Sequence, residues 1–210
     1  MKLHEVHGMN IQAERVLESI IESLSKMEYV KSSEIPNIDL YMDQVLTFMN
    51  GHLEDAKRYE NDKIMTKTMI NNYAKNDLLP PPNKKKYSKE HLMVLTFIYY
   101  FKGILSIKDI ETLLCPITER YFHTDNALDI TRIYDEVCAH DKERTKILQD
   151  DIQALFQASS ETFSDVTGDD KEFLQFFSLI CMLSLDVYVK KMLIEKLIDL
   201  VPPNKDNKKK

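Results

Sequence analysis

TKTMINNYAKNDLLPPPNKKKYS, residues 66–88, runs from a helix start through a proline stop into a lysine cluster. Thr66 or Thr68 stands where a hydroxyl would cap the first free amides of a helix. Met69, Ile70, Tyr73 and Ala74 then recur at helical spacing as one apolar stripe. Leu78 and Leu79 close it, and Pro80 to Pro82 forbid continuation. The spacing predicts a helix over 66–77 with Lys67, Asn71 and Lys75 on the opposite face, followed by the basic turn 83–86.

Outward from this stretch the pattern stays helical. Towards the amino terminus, Leu17, Ile20, Ile21, Leu24 and Met27 predict a helix from about Asn10 to Met27, which SSEIPNIDL interrupts at Pro36. YMDQVLTFMNGHL predicts a second helix, with Met42, Val45, Leu46 and Met49 on one side. Towards the carboxy terminus, Ser88 caps the strongly apolar KEHLMVLTFIYYFKGIL, and Ser106 caps SIKDIETLL, which Cys115–Pro116 is expected to end. A long helical region is expected from about Asp125 to Ser160. After the loop around Gly168, a last helix reaches Val201, and the tail NKDNKKK is expected to be disordered.

Few alternations of Val, Ile and Thr occur, and 43% apolar residues with only four glycines and seven prolines suit an all-α chain with a real core. The net charge of −6 excludes a protein that coats nucleic acid or anionic membrane with its whole surface. Yet from Lys63 to Lys89 there are seven lysines against the single acid Asp77. That is a local +6 on a body of −12, a basic contact face carried by an acidic protein.

Cys115, Cys138 and Cys181 are odd in number and far apart, which suggests neither a disulfide framework nor a zinc knuckle and suits reduced thiols in the cytoplasm. MKLHEVHGMN has no apolar run, so no signal peptide is expected. His4 and His7 are spaced i, i+3 but lack a matching pair of ligands, and no metal site is expected. No GxGxxG, GxxxxGK, GxSxG or HExxH occurs, so neither an enzyme nor a cofactor is expected. FLQFFSLICMLSLDVYV, residues 173–189, is apolar nearly all round but carries Gln175 and Asp186. It is read as a buried or dimer-forming helix rather than a membrane span.

The run TKTMINNYAKNDLLPPP, followed by YSKEHLMVLTFIYYFKGILSIKDIETLL, resembles the DNA-binding head of the MerR family of bacterial regulators. Tyr73, Leu78, Leu79, Pro80, Tyr87, Ser88, Leu92, Leu95, Ile98, Ser106, Ile107 and Ile110 follow that family's order. The same run resembles more closely an uncharacterised bacterial family, domain of unknown function 1836. The resemblance spans roughly residues 38 to 116. It implies a winged helix-turn-helix head. The chain departs from the MerR pattern at Asn71-Asn72, where an Arg-Tyr pair is usual, and at Asp77, where a glycine is usual. Only NKKK stands in place of the wing.

The resulting expectation is an all-α protein in four parts: an amino-terminal helix and linker (1–37), a MerR-like head with a shortened wing (38–116), a helical bundle or dimerisation region (117–203) and a lysine-rich tail (204–210). The head is expected to bind double-stranded DNA through Thr66, Lys67, Thr68, Asn71, Asn72, Lys75, Lys84, Lys85, Lys86, Tyr87 and Ser88. Amides would read adenine and lysines would meet phosphate. A homodimer through the carboxy-terminal helices is expected, with no membrane contact and any effector left open. The alternative is a protein-interaction module on a degenerate helix-turn-helix that has lost DNA binding.

Overall fold

The computed structural model describes residues 9–26, 30–54, 57–139 and 141–202. In chain order the elements are α1 (Met9–Lys26), β1 (Leu40–Tyr41), α2 (Met42–His52), α3 (Lys67–Lys75), β2 (Lys86–Tyr87), α4 (Lys89–Lys102), α5 (Ile107–Tyr121), α6 (Ile130–Cys138), α7 (Asp141–Ser160) and α8 (Asp169–Ile198). The chain is therefore largely helical, and the all-α expectation needs one correction. β1 and β2 pair antiparallel, Leu40 opposite Tyr87 and Tyr41 opposite Lys86. Two-residue strands far apart in sequence leave no alternation to read, and only tertiary packing brings them together.

The packing divides the chain into two compact units. One holds Tyr29–Ala139 with Leu193–Lys210; the other holds Met1–Glu28 with His140–Met192. In the first, α4 is the central element, packed against α2, α5, α6 and β2. His91 to Thr96 and Ile98 are all buried, so this helix is enclosed on nearly every side. Each of its fully buried aliphatic side chains contributes about 1.5–3 kcal/mol. Val45 and Met49 of α2, Ile70 and Tyr73 of α3, and Ile110 and Leu114 of α5 complete this core.

Two expectations fail here for physical reasons. Pro116 does not end α5, which continues to Tyr121. Proline lacks the amide that would bond the Thr112 carbonyl, at a cost of about 3 kcal/mol. Leu113, Leu114 and Ile117 carry the apolar stripe across the proline into the core and offset that cost. The chain beyond residue 117 also enters this core. Ile130 and Tyr134 of α6 are fully buried in the core that contains α4. The Tyr134 ring lies 5.2 Å from Phe97, and its hydroxyl donates to the Val30 carbonyl. The expected long helix from Asp125 to Ser160 is consequently two helices. Asp129 caps α6, accepting from the Arg132 amide at 2.8 Å, and α7 belongs to the other unit.

That other unit is built differently. α1 packs on α7, and the Gln149 amide donates to the Ile21 carbonyl at 2.9 Å. Among its described side chains only Ser159 and Leu179 are buried. Val16, Ile147, Phe173, Phe177, Leu185 and Tyr188 are each 49% exposed or more. On α8 one stripe, Phe176, Leu179, Met182 and Leu183, is buried or half-buried, while the opposite side stays exposed. From Leu193, the end of α8 belongs to the first unit, where Ile194 and Ile198 join the core. The lysine tail from residue 204, and His4 and His7, lie outside the described residues.

Candidate functional site

α3 starts at Thr66, whose Oγ1 accepts from the Met69 amide at 3.2 Å. This chooses between the two threonines open in the sequence and leaves Thr68 exposed. Ile70 is fully buried and Tyr73 nearly so, which orients the helix. Lys67, Thr68, Asn71, Asn72 and Lys75 are consequently all exposed. Burial of Tyr73 raises its hydroxyl pKa above the usual range, keeping it neutral inside the core.

The helix ends in a way that explains the acid at position 77. The Leu78 amide donates to the Tyr73 carbonyl at 2.9 Å and the Asp77 amide to the Ala74 carbonyl at 3.4 Å. Asp77 itself is left-handed, at φ 57°. This is a Schellman termination with Leu78 and Tyr73 buried together, and glycine is the residue that fits its left-handed position without strain. Aspartate tolerates it better than most.

Pro80 to Pro82 then carry the chain to Asn83, and the wing turns out to be a two-residue turn. The Lys86 amide donates to the Asn83 carbonyl at 2.9 Å, and Asn83 and Lys86 form an antiparallel bridge. The central residues, Lys84 and Lys85, lie at φ 48° and 66°. Positive φ at both centres is the type I′ pattern, normally made with Asn-Gly because a side chain is strained there. Two lysines in that geometry project from a fixed turn rather than a loose loop.

The expected site residues thus separate into four groups. Lys67, Thr68, Asn71, Asn72 and Lys75 form the open face of α3, and Lys84 and Lys85 the tip of the turn. Among the described residues no carboxylate forms an ion pair with Lys67, Lys75, Lys84 or Lys85. Lys86 is half-buried, its Nζ 5.3 Å from the centre of the Tyr41 ring. Thr66, Tyr87 and Ser88 are engaged by the protein itself. Thr66 caps α3, Tyr87 is a core side chain at 4% exposure, and Ser88 caps α4. Tyr41 was missed by sequence reading, since its place beside Lys86 depends on the strand pairing.

The long connection between α2 and α3 is tied down at its far end. The Asn50 side chain pairs with the backbone of Met65, and the Lys102 ammonium donates to the Ile64 carbonyl. Burial lowers the pKa of Lys102, whose Nζ also lies 4.7 Å from the Tyr99 ring centre.

Behind the turn lies a polar cluster that the sequence did not reveal. His91, 1% exposed, accepts the Ser88 amide at Nδ1 (2.9 Å). His123, left-handed at φ 50° beyond the end of α5, places Nε2 3.1 Å from both Ser88 Oγ and Glu90 Oε2. Burial drives the His91 pKa down to about 4 and raises that of Glu90.

Among the described residues no group of His, Cys, Asp and Glu is arranged to hold a metal ion. A surface depression of about 460 Å³ is lined by Asp129, Thr131, Arg132, Asp135, Glu136 and Ala139, with Asp129 already capping α6.

No curated protein and no solved structure matches the chain. One family model does, over residues 30–137, and these bounds fall within one residue or two of the Tyr29–Ala139 segment of the first unit. With just over half of its length matched, around the same α3–turn–α4 run that carries the basic face, the chain belongs to the family described as a domain of unknown function, DUF1836.

Proposed function

We propose that this is a non-enzymatic, cytoplasmic DNA-binding regulator that presents α3 and the 83–86 turn to duplex DNA as a MerR-like head. One observation carries the reading: Lys84 and Lys85 are held at positive φ in a defined turn, exposed and without carboxylate partners. Strain kept at a surface turn needs a reason, and positioning two cations for a phosphate strand supplies one. The exposed face of α3 supports it, with Asn71 and Asn72 able to pair with adenine and Lys67 and Lys75 suited to phosphate. In chain order β1, α2, α3, the 83–86 turn with β2, and α4, the turn falls between α3 and α4, where a winged helix-turn-helix carries its wing.

The second unit acts as the dimerising part of this regulator. Its sparse burial and the exposed side chains of α8 leave an apolar surface that a second copy would cover. Two-fold pairing would then set the half-site spacing at about 34–36 Å or a multiple.

A protein-interaction module is the competing reading. It is favoured by Asp77 near the expected phosphate path, by the absence of arginine from α3, and by the long α2–α3 connection where a standard helix-turn-helix has a short turn. Binding to genomic DNA fragments over a range of salt concentrations separates the two. The DNA reading requires selective binding, with a log–log salt slope that falls by roughly 2–3 in a Lys84/Lys85/Lys86→Ala variant. A folded wild type that selects no fragment overturns it in favour of the interaction module.

A further inference from the structure

The cluster behind the basic turn is connected as a circuit. Ser88 lies directly after β2, at the start of the buried helix α4, so whatever holds Ser88 also holds the strand that ends the turn. Two side chains hold it: its amide donates to His91 Nδ1, and its Oγ lies 2.8 Å from that nitrogen and 3.1 Å from His123 Nε2. Glu90 Oε2 receives the His123 backbone amide at 3.0 Å and faces His123 Nε2 at 3.1 Å.

These bonds assign the protons. The Ser88 amide can only donate, so His91 Nδ1 is an acceptor and the ring is the neutral tautomer with its proton on Nε2. That Nε2 is buried, and the ring's remaining polar neighbours are the Pro80 and Pro81 carbonyls. The ring is enclosed by aromatic neighbours, Phe122 at 4.7 Å, Tyr87 at 5.5 Å and His123 at 5.8 Å between centroids. A proton arriving at Nδ1 would set an N–H donor against the Ser88 N–H donor. The cap bond is then lost and a charge is left in an aromatic box.

We propose that Ser88, His91, His123 and Glu90 form a proton-operated latch that holds the basic turn in place while His91 is neutral and releases it when His91 is protonated. The groups that face His91 bear on this with different signs. His123 opposes a charge on His91, Asp39 and the Pro80 and Pro81 carbonyls favour it, and burial outweighs them. Tyr87 stays neutral, its pKa raised by burial. Glu90 is influenced in turn by His123 and Asp129. The device does not depend on the turn binding DNA, and it makes any anion bound there sensitive to acid.

Amide hydrogen exchange on the whole protein at pH 7 and pH 5, corrected for intrinsic exchange rates, reads the latch without any ligand. With His91 titrating near 4 when latched and near its ordinary 6.5 when released, opening of residues 86–92 rises roughly twentyfold between those pH values. The variant His91→Gln keeps an acceptor for the Ser88 amide and removes the titrating ring. It is expected to show no such rise. Equal protection of the wild type at both pH values overturns the proposal, as does a His91→Gln variant that loses protection as the wild type does. The imidazole ¹⁵N shifts of wild-type His91 give a measurement that needs no variant. Protonation at Nδ1 accompanying the loss of protection supports the latch, and a ring still wholly neutral once protection has gone overturns it.

Discussion

The side-chain amide of Asn50 takes both backbone hydrogen-bonding groups of Met65: the Met65 amide donates to Oδ1 at 3.3 Å, and Nδ2 donates to the Met65 carbonyl at 3.2 Å. A further bond from Nδ2 reaches the Leu46 carbonyl at 2.7 Å. One side chain of α2 thereby fixes the residue just before the cap of α3. Asn50→Ala is expected to destabilise the protein by about 1–3 kcal/mol, because it leaves the polar groups of a buried Met65 backbone unpaired. Chemical denaturation checks this. An effect within a few tenths of a kcal/mol would mean that the connection is held elsewhere.

Asp77 tests backbone strain and charge separately. Asp77→Gly relieves the left-handed position and is expected to stabilise by about 1 kcal/mol. Asp77→Asn keeps most of the strain and removes only the charge. On the DNA reading both variants bind duplex more tightly than wild type, while only the glycine variant gains appreciably in thermal stability. A glycine variant that is less stable than wild type would contradict the Schellman geometry.

For the turn, stability and binding should move in opposite directions. Replacing Lys84-Lys85 by Asn-Gly supplies the residues that a type I′ turn favours, and is expected to raise stability by about 1–2 kcal/mol. It also removes two cations, so the salt slope of duplex binding should fall by about 2. Melting temperature and binding isotherms on the same preparation decide the matter. A variant that gains stability and keeps its full salt slope would remove the lysines from the interface.

The stability of the protein should depend on pH through His91. Its folded pKa, about 4, lies below its ordinary 6.5, so the unfolded chain binds the proton more readily. Stability from this group is complete above pH 6.5 and is lost as pH falls towards 4, by about 2 kcal/mol between pH 7 and pH 5. Glu90 acts with the opposite sign, because a raised folded pKa adds stability as it protonates. The difference between wild type and His91→Gln isolates the histidine, and it should close as pH falls. A constant difference across that range would contradict the assignment.

The exposed residues of α8 predict a concentration-dependent homodimer. Leu185 and Tyr188 are 62% and 64% exposed, and Leu185→Lys/Tyr188→Lys is expected to weaken association at least tenfold, on the order of 1.4 kcal/mol or more. Sedimentation equilibrium measures it. Residues 170–198 are also long and apolar enough to cross a bilayer by length and composition. Recovery of the intact chain in a membrane fraction would therefore replace the dimer reading.

Local sequence determined most of the helical elements, because each carries its own start signal and its own stripe. Thr66, Ser88 and Ser106 stand at the caps expected of them, and the exposed face of α3 follows from Ile70 and Tyr73 alone. The sequence likewise revealed the lysine cluster, since charge needs no fold to be counted. Tertiary structure alone decided that Pro116 lies inside a helix, since the apolar contacts that outweigh its missing amide come from other elements. It also decided that α6 completes the family core and that Leu40–Tyr41 pairs with Lys86–Tyr87. The latch shows the limit most clearly. Ser88 and His91 are three residues apart and readable as a cap, but His123 lies thirty-five residues from Ser88. Nothing local to either segment predicts that the end of α5 returns to the start of α4, because that approach is set by the burial of Phe122 and His91 against each other.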